Sequence, residues 1–189
     1  MFRLFVALDL PAPVKERLSG LCSGVPGAIW VSPEQIHLTL RFIGEVDGGV
    51  RRDIADALSG VDDEPFQLEL KGMGCFPPRR QPKSLWVGVS RNDALIHLHH
   101  KIDTALVRLG LPREGRKFLP HVRLARLKDA RVNKLAGYLT ANSLFRLEPF
   151  EITEFGLYSS FLSSQGAIYQ LEESFPLISK GAFPDEKFS

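Results

Sequence analysis

From Ile36 to Phe42 the chain reads IHLTLRF, strict alternation of apolar and polar residues, a pattern that a half-buried β-strand satisfies and a helix does not. Under strict alternation His37, Thr39 and Arg41 form one row with neighbours roughly 7 Å apart, and Leu38, Leu40 and Phe42 form the opposite face. FLPHVRLAR, Phe118 to Arg126, repeats the arrangement, with His121 and Arg123 set against Val122 and Leu124. Two of the five histidines thus lead strands of one kind, at positions 37 and 121. Such a chain is expected to fold as two similar lobes about a pseudo-twofold axis, with the two polar rows facing a common cleft.

The segments around these strands agree with an α+β fold. Phe2 to Leu8 alternates as a strand, and Pro11 then suits the first turn of a helix carrying Val14, Leu18 and Leu21 on one face. Strand-like residues at Ile29 to Val31 precede the first histidine strand, and helical spacing follows it at Val50, Ile54, Leu58 and Val61. Phe66 to Leu70 and Leu85 to Val89 are expected as strands joined by a loop, GMGCFPPRRQPKS. Leu95, Leu98, Ile102, Leu106 and Leu109 line the longest helix, which Gly110 can end. A basic loop, Pro112 to Lys117, leads to the second histidine strand, followed by a helix with Val132, Leu135 and Leu139. Strands are expected near Glu148 to Ile152, Thr153 to Tyr158 and Ala167 to Leu171. This order lacks the regular alternation of a doubly wound parallel sheet. With 189 residues, 44 % of them hydrophobic, the chain can bury a sizeable core. One domain is expected over 1–177, with 178–189 as a loosely held tail.

Composition excludes more than it selects. A formal net charge of +2 does not by itself indicate nucleic acid. Cys22 and Cys75 have neither metal spacing nor a disulfide framework, which suits a reducing, cytoplasmic setting. The apolar start, MFRLFVALDLP, is broken by Arg3, Asp9 and Pro11 and is too short to span a membrane, so no membrane association is expected.

The two polar rows suit one kind of chemistry. Histidine moves protons near neutral pH, and two of them can act as base and acid on opposite sides of one reacting centre. A threonine hydroxyl and an arginine fork both suit phosphate oxygens. Phosphoryl transfer needs positioning and charge stabilisation, so Thr39, Arg123 and two histidines suffice without a metal.

The same residues carry a family resemblance. HLTLRFIGE (His37 to Glu45) and PHVRLAR (Pro120 to Arg126) resemble the paired His-x-Thr-x signatures of the two-histidine phosphoesterase superfamily, in particular its RNA 2′,3′-cyclic phosphodiesterase branch, also called 2′-5′ RNA ligases. RLFVALDLP, Trp30 to Pro33, GCFPP, LWVGV, KFLPH and LYSSFLSSQGAIYQLEESFPL are also similar, in the family's order, from Phe2 to Leu177. One departure stands out: Arg123 occupies the place of the family's second threonine. The resemblance implies two pseudo-symmetric lobes, each with an antiparallel sheet flanked by helices. It also implies metal-independent, cofactor-free opening of a 2′,3′-cyclic phosphate to a 2′-phosphate, with His37 and His121 as acid and base and Thr39 on a phosphate oxygen. The fixed charge of Arg123, two places from His121, is expected to disfavour a protonated His121, which makes His121 the proton acceptor and His37 the proton donor.

Further candidates have two readings each. Arg41 shares the His37 row and suits either phosphate or a surface ion pair. Arg126 falls in the second motif, but strict alternation puts it opposite His121, so a role there requires a twist or bulge. Phe5, Phe76, Trp86 and Phe118 could each stack a terminal base; for Phe5 and Trp86 core packing is the stronger reading, whereas Phe76 and Phe118, in loops, suit either. The basic loops 79–83 and 113–117 either flank the cleft or are plain surface charge. His97, His99 and His100, at 100° per residue, cannot converge on one ion, and no metal site is expected. Three functions fit: hydrolysis of cyclic RNA ends with possible reverse ligation, an RNA-end-binding module without turnover, or hydrolysis of small 2′,3′-cyclic nucleotides. A monomer with no protein partner is expected.

Overall fold

The structure is a computed structural model that describes residues 1–78, 81–128, 131–164 and 166–180. Ten strands and four helices follow in the order β1 (Phe2–Asp9), α1 (Ala12–Ser19), β2 (Ala28–Trp30), β3 (His37–Val46), α2 (Gly48–Ser59), β4 (Phe66–Leu68), β5 (Leu70–Phe76), β6 (Ser84–Val89), α3 (Asp93–Arg108), β7 (His121–Leu127), α4 (Val132–Ala141), β8 (Phe150–Ile152), β9 (Glu154–Ser163) and β10 (Gly166–Pro176) among the described residues. Helix starts follow ordinary capping. Asp47 accepts from the backbone N–H groups of Gly49 and Val50 at α2, and Asn92 from that of Leu95 at α3. After α3 the chain turns at Gly110, whose φ of +101° favours glycine.

The main sheet runs β10-β9-β1-β3-β7-β6-β5, with β2 added along β7, and its adjacent strands pair antiparallel. It is two half-sheets joined at one pair, Leu38 opposite Val122. Each half of the chain has the same order of elements, β1-α1-β3-α2-β5 and then β6-α3-β7-α4-β9, and the halves exchange their last strands. Thus β5 lies beside β6 of the second half and β9 beside β1 of the first. The expected α+β, two-lobed, pseudo-symmetric architecture is present.

Helix α3 packs beneath β3, where the His99 ring Nδ1 lies 3.0 Å from the Leu40 carbonyl oxygen. The corresponding helix α4 packs beneath β6 and β7, with Leu135 in a cluster with Leu85, Ala125 and Leu127. The larger core gathers Leu8, Leu38, Leu40, Ile54, Leu98, Ile102, Val122, Leu124 and Phe155, all almost fully buried. Full burial of one such side chain contributes about 1.5–3 kcal/mol.

Several expected element bounds change. Phe66 to Leu70, expected as one strand, is divided between β4, which pairs with β8 in a separate sheet, and the start of β5. Gly72 to Phe76, expected as loop, belongs to β5 because Met73 to Phe76 pair with β6, and a Cβ at Gly74 would collide with the Trp86 ring. Glycine there is a packing requirement rather than a turn signal. Of the expected tail, 178–180 are tied to the turn after α2: Ile178 N–H donates to the Asp63 carbonyl and Lys180 N–H to the Glu64 carboxylate. Residues 181–189, like Arg79 and Arg80 of the basic loop, lie outside the described residues.

Candidate active site

The single pair at the seam sets the geometry of the site. With Leu38 opposite Val122 in antiparallel register, His37 stands opposite Arg123 and Thr39 opposite His121. Leu38 and Val122 both point into the core, so all four polar side chains project from the other face. Each imidazole is oriented by the same local bond. His37 Nδ1 lies 2.7 Å from the carbonyl oxygen of Gln35, and His121 Nδ1 lies 2.7 Å from that of Leu119, two residues upstream in both cases. A carbonyl can only accept, so both Nδ1 atoms carry the proton and both Nε2 atoms are left for chemistry. His37 Nε2 lies 3.0 Å from Thr39 Oγ1, whose hydroxyl donates to it in the neutral ring.

Each histidine strand then has a β-bulge three residues after its histidine. Pairing of β1 with β3 skips Leu40, and pairing of β6 with β7 skips Leu124. Two successive side chains therefore turn inward, Leu40 with Arg41 and Leu124 with Ala125, and the outward phase resumes at Phe42 and Arg126. This reverses two expectations. Arg41 does not join the His37 row: it is buried beneath the sheet, its Nε 3.0 Å from Asp103 and its Nη1 3.2 Å from Glu114. It also donates to the carbonyl oxygens of Phe42 and Pro112. Arg126 is brought to the face of His121 and Arg123, and Phe42, expected on the face opposite His37 with Leu38 and Leu40, is 65 % exposed on the outer side. Among the described residues neither Arg123 nor Arg126 takes part in an ion pair, so both guanidinium forks are available to an anion.

Comparison with known proteins accounts for the duplicated plan. The family described as LigT like Phosphoesterase matches the chain twice, over residues 8–86 and 87–169. This chain belongs to that family. Among relatives, the RNA 2′,3′-cyclic phosphodiesterase of Archaeoglobus fulgidus is 33 % identical over 171 residues, covering 89 % of this chain and 96 % of that one. The protein of the same name from Aeropyrum pernix is 36 % identical over 150 residues, 78 % of this chain and 85 % of that one. In solved structures, TT0787 of Thermus thermophilus superposes with a TM-score of 0.79 at 25 % identity over 93 % of this chain and 97 % of that one. E. coli LigT complexed with 3′-AMP gives 0.77 at 26 % identity over 94 % and 99 %.

In this LigT-like phosphoesterase the two histidines sit in unequal surroundings. His37 is walled by Phe5 and Tyr169, each 5.1 Å away between ring centroids, and shares a small pocket with Asp9, Glu34, Ile36 and Tyr158. Its pKa is pulled down to about 4, chiefly by burial and further by the charges of Arg123 and Lys15, against the opposing effects of the Gln35 carbonyl and Asp9. Intra-strand spacing leads one to expect Arg123 to act on His121 alone; across the seam its charge bears on His37, a neighbour that such spacing cannot reveal. Arg123 by itself therefore does not decide which histidine is the base. His121 is the more open ring, with Phe76 at 5.2 Å and Trp86 at 6.0 Å.

Other candidates separate cleanly. Phe76 stands beside His121, whereas Phe118 stacks on His99 at 3.9 Å and 10° beneath the sheet and does not reach the site. His99 is buried, with its pKa lowered by that burial, and no group of three or more His, Cys, Asp or Glu that could hold a metal occurs among the described residues. Phe5 is buried as expected, at 4 % exposure, and also backs His37, while Trp86 is half-buried beside His121; residues missed in the sequence are Tyr158 and Tyr169. The signal for Tyr158 was the position of each aromatic in its strand: Phe5 and Trp86 occupy equivalent places in RLFVAL and SLWVGV, as do Phe76 and Tyr158 in GCF and GLY. No helix among the described residues is long and apolar enough to cross a membrane.

Proposed function

We propose that this protein is an RNA 2′,3′-cyclic phosphodiesterase that opens a terminal 2′,3′-cyclic phosphate to a 2′-phosphate without a metal, as a single two-lobed unit over residues 1–177. The observation that carries this reading is the pair of imidazoles held by equivalent Nδ1 bonds, with Thr39 and Arg123 between them on one face. Water attacks phosphorus as His121 Nε2 accepts its proton. The P–O3′ bond breaks as His37 Nε2 delivers a proton to the leaving O3′, and solvent exchange returns both rings to their starting states. Thr39 and Arg123 hold the non-bridging oxygens, where charge builds in the transition state. Arg126, beside Arg123 on the outer face, suits the adjoining RNA phosphate. The acceptor must meet water, and His121 is the more open ring. The donor must carry a proton that an enclosed, neutral His37 lacks until a phosphate anion docks beside it. The same displacement with a 5′-hydroxyl in place of water would join two ends by a 2′-5′ linkage: His121 Nε2 takes the hydroxyl proton and O3′ leaves with the proton of His37.

The test is hydrolysis of an oligonucleotide ending in a 2′,3′-cyclic phosphate in the presence of EDTA. A 2′-phosphate product formed at the metal-replete rate is expected, and His37→Ala and His121→Ala each lower kcat on the order of 10²- to 10⁴-fold with unchanged folding. Loss of turnover on chelation, or a 3′-phosphate product, refutes the mechanism. Binding of the RNA end without turnover would mark a binding module instead, and turnover of mononucleotides alone would mark a small-nucleotide hydrolase.

A further inference from the structure

Offset by the separation of His37 from His121, the first half of the chain maps onto the second: Ala28 to Trp30 fall on Pro112 to Glu114, and Arg41 falls on Ala125. In the first half Ala28 to Trp30 form β2, which runs antiparallel along β7 with Trp30 opposite Ala125. Val31 N–H then donates to the Leu124 carbonyl, so the approach to His37 is bound to the His121 strand by backbone. The second half lacks the counterpart. Residues 112–120 lie in no helix or strand, and β3 pairs with β7 at Leu38 and Val122 alone. The approach to His121 therefore has no ladder along β3 to hold it.

Side chains hold it instead. Where β7 carries Ala125, β3 carries the buried Arg41. Its guanidinium lies 3.2 Å from Glu114 and donates to the Pro112 carbonyl, the two ends of the segment equivalent to β2, while its Nε lies 3.0 Å from Asp103 of α3. Arg113, between those ends, reaches the same Asp103 carboxylate at 3.6 Å. A further tie lies nearer the histidine: Phe118 stacks on His99, whose Nδ1–H donates to the Leu40 carbonyl. Buried ion pairs add little net stability over well-packed apolar residues, and their best-attested use is to fix one register. A single ladder pair specifies register weakly, and a slip of one residue would turn a polar row to the other face. The segment tied down in this way also carries Leu119, whose carbonyl orients the His121 ring.

We propose that Arg41 is a positioning residue for the reaction: it stands in for the missing strand, fixes the segment that approaches His121, and so sets that ring relative to His37. The role in catalysis rests on the functional reading above. Arg41 touches no substrate. Its loss leaves Thr39 and Arg123 to hold phosphate and leaves His37 on its bond to the Gln35 carbonyl, so the defect falls on His121, and on kcat rather than KM.

Arg41→Lys and Glu114→Ala test this. Lysine keeps a cation beside Asp103, but one ammonium cannot also reach Glu114 and the Pro112 carbonyl. Glu114→Ala leaves the Arg41–Asp103 pair in place and decides the matter if the lysine variant does not fold. On an oligonucleotide ending in a 2′,3′-cyclic phosphate, kcat should fall on the order of tenfold to a hundredfold in Arg41→Lys and by less in Glu114→Ala, with KM nearly unchanged in both. The second readout needs no substrate. With both rings neutral, nitrogen-15 NMR should show the Nδ1–H tautomer for His37 and His121 in the unaltered protein, and in each variant a mixture of tautomers for His121 with His37 unmoved. Unchanged kcat and an unchanged His121 spectrum in a folded variant, or equal disturbance of both rings, would show that Arg41 serves the fold alone; either overturns the inference and leaves the functional reading intact. Failure of the unaltered protein to open the cyclic phosphate overturns the functional reading, and the inference with it.

Discussion

Docking of an anion at the seam should load His37 with a proton, and the size of that effect follows from the site. In the free protein His37 has a pKa of about 4, so at pH 6 it is almost entirely neutral. A phosphate-like charge about 4 Å from the ring, at an effective dielectric near 20, favours the imidazolium by about 4 kcal/mol. At 1.36 kcal/mol per pKa unit that is a rise of about 3 units, to about 7. The perturbation is therefore saturation with dimethyl phosphate, a monoanion like the cyclic diester and one whose own protonation lies far below this range, and the assay is the pH titration of the His37 ring resonances by NMR. His37 should titrate near 4 when free and near 7 when bound. Calorimetry at pH 6 in buffers of different ionisation enthalpy should show close to one proton taken up per dimethyl phosphate in the wild type, and close to one fewer in His37→Gln. A free His37 that titrates at its ordinary value near 6.5, or a bound one that stays near 4, refutes the reasoning and removes His37 as the donor.

The same depressed pKa makes stability pH-dependent with a definite sign. The unfolded chain binds the proton near 6.5 and the folded chain only near 4, so stability is intact above 6.5 and falls as pH drops through that window, by about 3 kcal/mol in full; denaturant melts of His37→Gln should lack this share of the acid loss. Beneath the sheet, Arg41→Ala leaves the Asp103 carboxylate buried with only the 3.6 Å contact to Arg113, and should destabilise by about 3 kcal/mol; a melting curve unchanged from wild type would show that Arg41 is not holding β3 to α3. On the outer face, Arg126→Ala should lower kcat/KM for an RNA end about tenfold and reduce its salt dependence, whereas unchanged kinetics would place this side chain away from the RNA. In the sheet, Gly74→Ala should cost about 1–3 kcal/mol by thermal melt because the added methyl meets the Trp86 ring, and Gly115→Ala, which meets nothing, is the control.

Local pattern was enough for much of this protein. Period-two alternation identified both histidine strands, helical spacing identified all four helices, and the recurrence of one motif at 37 and 121 indicated two related halves. These are properties of neighbours in the chain, and alternation or a 3.6-residue repeat reports them directly. The motif residues His37, Thr39, His121 and Arg123 were legible for the same reason, since each pair lies two apart on one strand. That the two rows meet was also expected and holds, but the finer consequences of pairing with a second strand were not legible. The bulges at Leu40 and Leu124 add one residue against partners in β1 and β6, and that single residue sends Arg41 inward and Arg126 outward, opposite to what alternation alone gives. The register of β3 against β7 turns Arg123 toward His37, and an exchange of strands between halves brings Phe76 to His121 and Tyr158 to Phe5. A strand's own residues determine its two faces; only its partners decide where the phase slips and which face becomes the site.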